Sequence, residues 1–275
     1  MQIVKKISEI REILSDLDKN NSKINLIPTM GNIHEGHLSL LKEANKYEGI
    51  NVVSIFINPT QFNDIKDFEN YPNTFDQDVN LLSKNNCEII FAPHINEMYP
   101  NGLETKKTIF EYREILCDVF RPGHFDGVTT VVKMLLNIIK PSNVFLGEKD
   151  FQQLKIVEKL IKENFPNQKL VRVPTVRSDE GIALSSRNSK LSKKQMTDFI
   201  LFQKEVIQFI ANLDKKSDLI EANKKADEFI KSYEKYDYFE FRNASNLSLE
   251  GSLSESRLFY AIYKSGVRLI DNLEL

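Results

Sequence analysis

The sequence predicts an α/β protein: an open parallel sheet with helices on both faces, followed by a smaller α+β domain toward the C-terminus. Three observations carry that expectation. Short β-branched runs alternate with longer segments of helical period through the first two thirds of the chain, as in βαβ units. Most of those runs are apolar without polar alternation, which is how strands read when helices cover both of their faces. After about Asp179 the texture changes, and two helical stretches precede three clustered strand-like runs.

In chain order, the strand candidates are "INLIPT", "NVVSIFIN", "CEIIFAP", "NVFLG" and "LVRVPTV". Helical period places helices between them near Leu38 to Lys46, Phe75 to Lys84, Val128 to Ile139 and Gln152 to Glu163. Beyond them come a lysine-rich helix over roughly Ser192 to Leu213 and another from Leu219 to Tyr233. The strand-like runs "YFEFRNA", "RLFYAIYK" and "VRLIDNL" close the chain. Two helices followed by clustered strands suggest a small separate domain. The boundary falls near Val176 to Ser186, giving domains of residues 1–176 and 177–275.

The chain has 275 residues, 41% of them hydrophobic, enough to build the core of one large domain or two ordinary ones. Its net charge is -2, from 37 basic and 39 acidic residues, so nothing in the overall charge calls for nucleic acid or an anionic membrane as partner. The longest apolar runs, "VVSIFI" and "MLLNII", fall far short of the roughly 20 residues that span a bilayer. The opening "MQIVKKISEIREIL" lacks the apolar stretch of a secretory signal, and a cytoplasmic location is expected. Cys87 and Cys117 fit no metal or redox spacing and read as two buried free thiols.

The chemistry-bearing motifs fall on the turns. "PTMGNIHEGHLSL" runs from a strand into a helix, so Met30 to Gly36 is a turn at the carboxyl edge of the sheet, where ligands bind. The helix that follows offers unpaired backbone N–H groups and its dipole to an anion, and Gly31 and Gly36 permit close approach. His34 and His37, three apart, share a face; their imidazoles can donate to phosphate oxygens, and their charge can adapt near neutral pH. Two other readings stand beside this one, a metal site and a helix cap with surface histidines. The metal reading lacks a third ligand nearby. "NPTQFNDIKDFENYP" follows the second strand on the same rim, as an ordinary polar loop or as a holder of a small polar substrate through the Gln61 amide. "FRPGHFDGVTTVV" gives Arg121 and His124 either to the rim or to the start of a capped helix. In "VFLGEKDFQQL", Lys149 supplies a point charge for phosphates and Gln153 a substrate contact, while Glu148 and Asp150 suit a helix N-terminus. "VRSDEGIALSSRN" reads as a clamp of two serines and an arginine on departing phosphates, or as a flexible serine-rich linker.

Together these motifs, in this order, resemble the pantothenate synthetase (pantoate-beta-alanine ligase) family, within the wider HxGH nucleotidylyltransferases. The likeness extends from about Lys23 to the terminal "LIDN". Asn32 stands where the family often has alanine, and Leu184 where methionine is common. The resemblance implies a Rossmann-like nucleotide-binding domain with a C-terminal lid, and an ATP-dependent condensation of pantoate with beta-alanine. That reaction passes through a pantoyl-adenylate and yields pantothenate, AMP and pyrophosphate. It further implies that Met30, Gly31, Asn32, Ile33, His34, Glu35, Gly36 and His37 hold ATP, together with Gly147, Glu148, Lys149 and Asp150 and, further on, Val176, Leu184, Ser185, Ser186 and Arg187. His37 is then the proton donor, with His34, Lys149 and Arg187 as its catalytic companions. Gln61 and Gln153 hold pantoate, and Gln61 also meets beta-alanine. Mg²⁺ accompanies ATP, the chain forms a homodimer, and neither nucleic acid nor membrane is a partner. A different HxGH nucleotidylyltransferase would need a second cationic subsite for a phosphorylated substrate. A nucleotide sensor would bind ATP without pyrophosphate exchange.

Overall fold

The structure is a computed structural model that describes residues 1–19 and 21–275. The chain divides into two compact units, Met1–Arg113 with Arg121–Thr175, and Glu114–Phe120 with Val176–Leu275.

The first unit contains β1 (Gln2–Val4), α1 (Ile7–Lys19), β2 (Ile24–Thr29), α2 (Glu35–Ala44), β3 (Ile50–Ile55), α3 (Ile65–Glu69), α4 (Phe75–Ser83), β4 (Ile89–Phe91) and α5 (Ile95–Met98). After α6 (Cys117–Phe120), which belongs to the second unit, it resumes with α7 (His124–Ile139), β5 (Asn143–Gly147), α8 (Phe151–Asn164) and β6 (Lys169–Val173). The described strands pair in parallel in the order β1-β4-β3-β2-β5-β6. The chain moves outward from β2 through β3 to β4, then returns to the other side of β2 as β5. The carboxyl ends of β2 and β5 are therefore the topological switch point of the sheet, the place where open α/β sheets bind ligands.

Leu26, Ile27, Val52, Val53, Ile90, Val144 and Phe145 are buried, which accounts for the unbroken apolar runs. One polar row crosses this interior at the opposite edge. Asn25, Asn51 and Asn143 are direct register partners across β3, β2 and β5. The Asn143 amide donates to Asn25 Oδ1 at 2.9 Å, the Asn25 amide to Asn51 Oδ1 at 3.1 Å, and the Asn51 amide to Asn45 Oδ1 at 2.8 Å.

Two helices start earlier than their apolar period suggests. α2 opens at Glu35 because the His34 side chain caps it. α7 opens at His124, after Gly123 turns the chain at φ +80°. β1 and α1 were not expected; β1 is only three residues long, too short for a periodicity signal.

The second unit carries α9 (Lys193–Ala211), α10 (Leu219–Ile230) and an antiparallel sheet, β7 (Tyr236–Asn243), β8 (Ser256–Lys264) and β9 (Val267–Glu274), in the order β7-β8-β9. Phe202 and Phe209 of α9 and Phe229 of α10 pack with Phe239, Phe241 and Tyr260 of the sheet. Phe209 and Phe229 stack at 4.6 Å between ring centres. The segment Glu114–Phe120 joins this unit, with Cys117 Sγ 3.1 Å from the Tyr238 hydroxyl. Cys87 and Cys117 are both buried and outside any disulfide, as expected. No described helix is long and apolar enough to cross a membrane.

Candidate active site

The turn after β2 takes its shape from a buried carboxylate. Gly31 and Asn32 adopt φ values of +81° and +51°, and the backbone N–H groups of Asn32 and Ile33 both turn inward onto Asp78 of α4, at 2.9 and 2.8 Å. Thr74 Oγ1 adds a third bond to the same carboxylate, at 3.1 Å. Any side chain at position 31 would start with its Cβ 3.0 Å from Asp78 Oδ2, so the left-handed turn and the carboxylate together select glycine.

The two histidines that follow are wired to the backbone. His34 is the N-cap of α2, and its Nδ1 accepts the Gly36 N–H at 3.1 Å. His37 Nδ1 accepts the His34 N–H at 3.4 Å, an imidazole version of the reciprocal capping box. The rings lie 4.1 Å apart at an interplanar angle of 37°. A nitrogen that accepts from an N–H carries no proton, so each neutral ring carries its proton on Nε2, where it is a donor for a ligand. Burial pushes His34 down to about 4, with help from the nearby Lys149 ammonium. Burial, the His34 ring and Lys149 push His37 down to about 3.

Two expectations change here. The start of α2 does not offer a set of unpaired backbone N–H groups, because Asp78 and the two imidazoles take those of Asn32, Ile33, His34 and Gly36, while the His37 N–H returns to His34 O at 2.8 Å. Nor does the charge of either imidazole adapt near neutral pH in the ligand-free fold, since both stay neutral well below it. The helix-cap reading is thus realised through Nδ1 of each ring, with both rings partly buried and not on the surface. Among the described residues no group of three His, Cys, Asp or Glu is placed to hold a metal.

After β3, Asn58 caps a short 3-10 turn, Pro59–Gln61, which α7 grips from inside. The Asn58 amide donates to Gly127 O at 3.1 Å and to Gln61 Oε1 at 3.2 Å, and the Tyr99 hydroxyl donates to Asn58 Oδ1 at 2.8 Å. A Cβ on Gly127 would lie 2.4 Å from Thr60 O, so only glycine lets the helix press this closely on the turn. His124 and Arg121 address the Gln61 carbonyl at 2.8 and 3.2 Å. His124 thus opens α7 without capping it and turns its ring onto the Gln61 turn. Gln61 is buried, and its Nε2 rests on Met30 Sδ, which joins the second rim turn to the first.

After β5, Gly147 leads into the turn Glu148–Asp150 and then α8. Lys149 is largely buried, with Nζ 3.8 Å from Asp150 Oδ2, and its field reaches both imidazoles. Gln153 is half-buried on the first turn of α8, while its neighbour Gln152 turns to Tyr112 O at 2.9 Å.

Val176, Leu184, Ser185, Ser186 and Arg187 lie in the second unit. The segment is a small hairpin, not a loose linker: Leu184 N–H donates to Val176 O at 3.0 Å, Ser178 N–H to Ile182 O at 2.8 Å, and Gly181 turns it at φ +86°. Its root is Arg177, paired with the buried Asp271 of β9 at 2.6 and 3.0 Å and bonded to Asn272 O at 2.8 Å. Ser185 Oγ accepts the Arg187 N–H at 3.2 Å. Sequence reasoning missed Asp78, Gly127, Tyr99 and the Arg177–Asp271 pair.

The sequence profile of pantoate-beta-alanine ligase matches residues 2–274. Pantothenate synthetase of Syntrophomonas wolfei is 41% identical over 281 residues, covering 99% of each chain. That of Buchnera aphidicola is 38% identical over 283 residues, covering 100% of this chain and 99% of its own. Among solved structures, the pantothenate synthetase of Thermus thermophilus superposes with a TM-score of 0.89 at 31% identity, over 100% of this chain and 99% of that one. The pantoate-beta-alanine ligase of Francisella tularensis, complexed with beta-gamma ATP and beta-alanine, superposes with a TM-score of 0.80 at 36% identity, over 100% and 97%. With a switch-point site between β2 and β5 and full-length likeness in both sequence and fold, the chain belongs to the pantoate-beta-alanine ligase family.

Proposed function

We propose that the paired imidazoles and Lys149 form the reactive end of a site that activates pantoate with ATP and passes the pantoyl group to beta-alanine. The observation that carries this reading is the division of labour within each ring: Nδ1 is spent on the backbone, and Nε2 is left as a donor at the switch point beside a cation.

Pantoate's carboxylate is ionised at neutral pH, so its attack on the α-phosphorus needs no protein nucleophile. The step needs fixed donors where charge gathers on the departing pyrophosphate. His34 and His37 supply two, already oriented by their capping bonds, and Lys149 supplies a positive charge. An arriving triphosphate raises the pKa of both rings by its negative charge, which suits His37 to the part of proton donor. Met30 to His37 and Gly147 to Asp150 cradle ATP, with Val176 and Leu184 to Arg187 on the C-terminal side. Gln61 and Gln153 hold pantoate, and Gln61 meets beta-alanine. Residues 177–275 act as a lid that brings Ser185, Ser186 and Arg187 to the phosphates. In the second step the neutral amine of beta-alanine attacks the acyl carbon, loses a proton, and AMP departs.

Mg²⁺ enters as part of the Mg–ATP substrate, held chiefly by the phosphates. The reading includes a homodimer working in the cytoplasm, which family resemblance supports. Exchange of labelled pyrophosphate into ATP tests the order of steps. It is expected to require pantoate and to proceed without beta-alanine; exchange that ignores pantoate, or that demands beta-alanine, overturns the two-step reading.

A further inference from the structure

We propose that His124 is a positioning residue for pantoate, acting through Gln61; the inference rests on the reading above in which Gln61 holds that substrate. Its basis is a proton assignment that the geometry forces. Arg121 Nη1 lies 3.1 Å from His124 Nε2, and a guanidinium can only donate. Nε2 is therefore the acceptor, the ring is neutral, and its proton sits on Nδ1. Nδ1 lies 2.8 Å from Gln61 O, which can only accept. Arg121 Nη2 reaches the same carbonyl at 3.2 Å. His124 is thus held in the opposite tautomer to His34 and His37, and its proton points at the backbone of a substrate-binding residue.

The rest of the Gln61 residue is fixed from the same helix. Gly127 O holds the Asn58 amide, the Asn58 amide holds Gln61 Oε1, and the absent Cβ of Gly127 lets α7 close on the Thr60–Gln61 peptide. With the backbone carbonyl and the side-chain oxygen both engaged, the Nε2 group remains, resting on the Met30 thioether. Sulfur is a weak acceptor, so a carboxylate or hydroxyl oxygen of pantoate displaces it readily. The first turn of α7 therefore sets the aim of a donor that α7 itself does not carry.

Two measurements test this. Long-range ¹H–¹⁵N spectra of the whole protein at neutral pH should show His124 as the Nδ1–H tautomer and His34 and His37 as Nε2–H; His124 found as Nε2–H or as a cation overturns the assignment. Dissociation constants for pantoate and for a non-hydrolysable ATP analogue are then compared across variants. His124→Leu and His124→Gln, which lose the donor to Gln61 O, should weaken pantoate about tenfold, the effect of one lost hydrogen bond. The ATP analogue should change less than about twofold in both. His124→Asn, whose amide nitrogen replaces Nδ1, should recover most of the pantoate affinity. Should His124→Leu fail to fold, the contrast between Gln and Asn decides alone. Equal pantoate constants in Gln and Asn, or a parallel loss of both ligands, overturn the inference. Gln61→Ala separates the two layers: if it leaves pantoate binding unchanged, the assignment of Gln61 fails. If it weakens pantoate while His124→Leu does not, His124 fails alone.

Discussion

The backbone N–H of His34 points at His37 Nδ1, 3.4 Å away, so the first histidine orients the second through its main chain. The His34 ring meanwhile caps the helix that carries His37. The pair is one device with two separable functions, and substitution can take them apart.

His34→Asn keeps an oxygen that can cap α2, since Asn is among the best N-cap residues, but removes the Nε2–H donor. Its stability is expected to stay near that of the parent, while His34→Ala loses about 1 kcal/mol with the cap. Adenylate formation should fall on the order of 10²-fold to 10³-fold in both, as for removal of a preorganised donor. Single-turnover rates beside urea unfolding check this. Asn at the parental rate would show that the ring is scaffolding only.

The depressed imidazoles also set a pH dependence. Folded-state values of about 4 and about 3 lie below the ordinary 6.5, so the unfolded chain binds protons that the native fold refuses. The resulting stability is complete above pH 6.5 and is lost as pH falls toward the folded values. The melting temperature should therefore decline between about pH 6.5 and 5, above the range in which ordinary carboxylates protonate. A His34→Asn/His37→Asn double variant should show a shallower decline. Identical slopes would assign the loss to other groups.

Asp78→Asn keeps the shape of the side chain under the turn but turns one acceptor into an NH₂ that faces a backbone N–H. Hydrogen bonds to a charged group contribute roughly 1.5–3 kcal/mol each, so a destabilisation of about 2 kcal/mol is expected. ATP binding should weaken by about tenfold, because the turn that carries both histidines loses its fixed conformation. Calorimetric binding of an ATP analogue to the folded variant provides the check, and parental affinity would deny Asp78 this part.

In the second unit, Asp271→Asn leaves the half-buried Arg177 guanidinium without its charge partner. Breaking such a pair from one side costs about 3 kcal/mol, and proteolysis within residues 176–187 should accelerate. Arg187→Lys should leave the hairpin intact and slow adenylation by about tenfold, since an ammonium cannot reproduce a forked contact. Equal cleavage rates in the first variant, or an unaltered rate in the second, contradict the respective assignment.

Much of this was legible in the sequence because it was local. "INLIPT" followed by a glycine turn and "HLSLLKEA" places two histidines on a rim by periodicity alone, and "VFLGEKDF" does the same for Lys149. What stayed hidden was contact across sequence distance. Asp78 lies 45 and 46 residues from the amides that it holds, and Arg177 lies 94 from its carboxylate. The direction of the capping N–H groups was also hidden. A strand-to-helix turn implies free donors, and only the fold shows that two imidazoles and a carboxylate have taken them. Glu114–Phe120 belongs to the second unit although its neighbours on both sides belong to the first, a pairing that no local pattern signals.

The asparagine row at the far edge of the sheet bears on how such a site is kept level. Strands apolar on both faces can slide past one another by two residues and still bury the same kinds of side chain. Asn25, Asn51 and Asn143 forbid that slide, because any other alignment would leave amides facing hydrocarbon without partners. From this common datum β2, β3 and β5 run up to the three turns that carry the histidines, Gln61 and Lys149. The chain thus behaves like a ruler read from its zero mark, and a βα segment transplanted from a relative should align its reactive groups only if it brings a matching amide at the base.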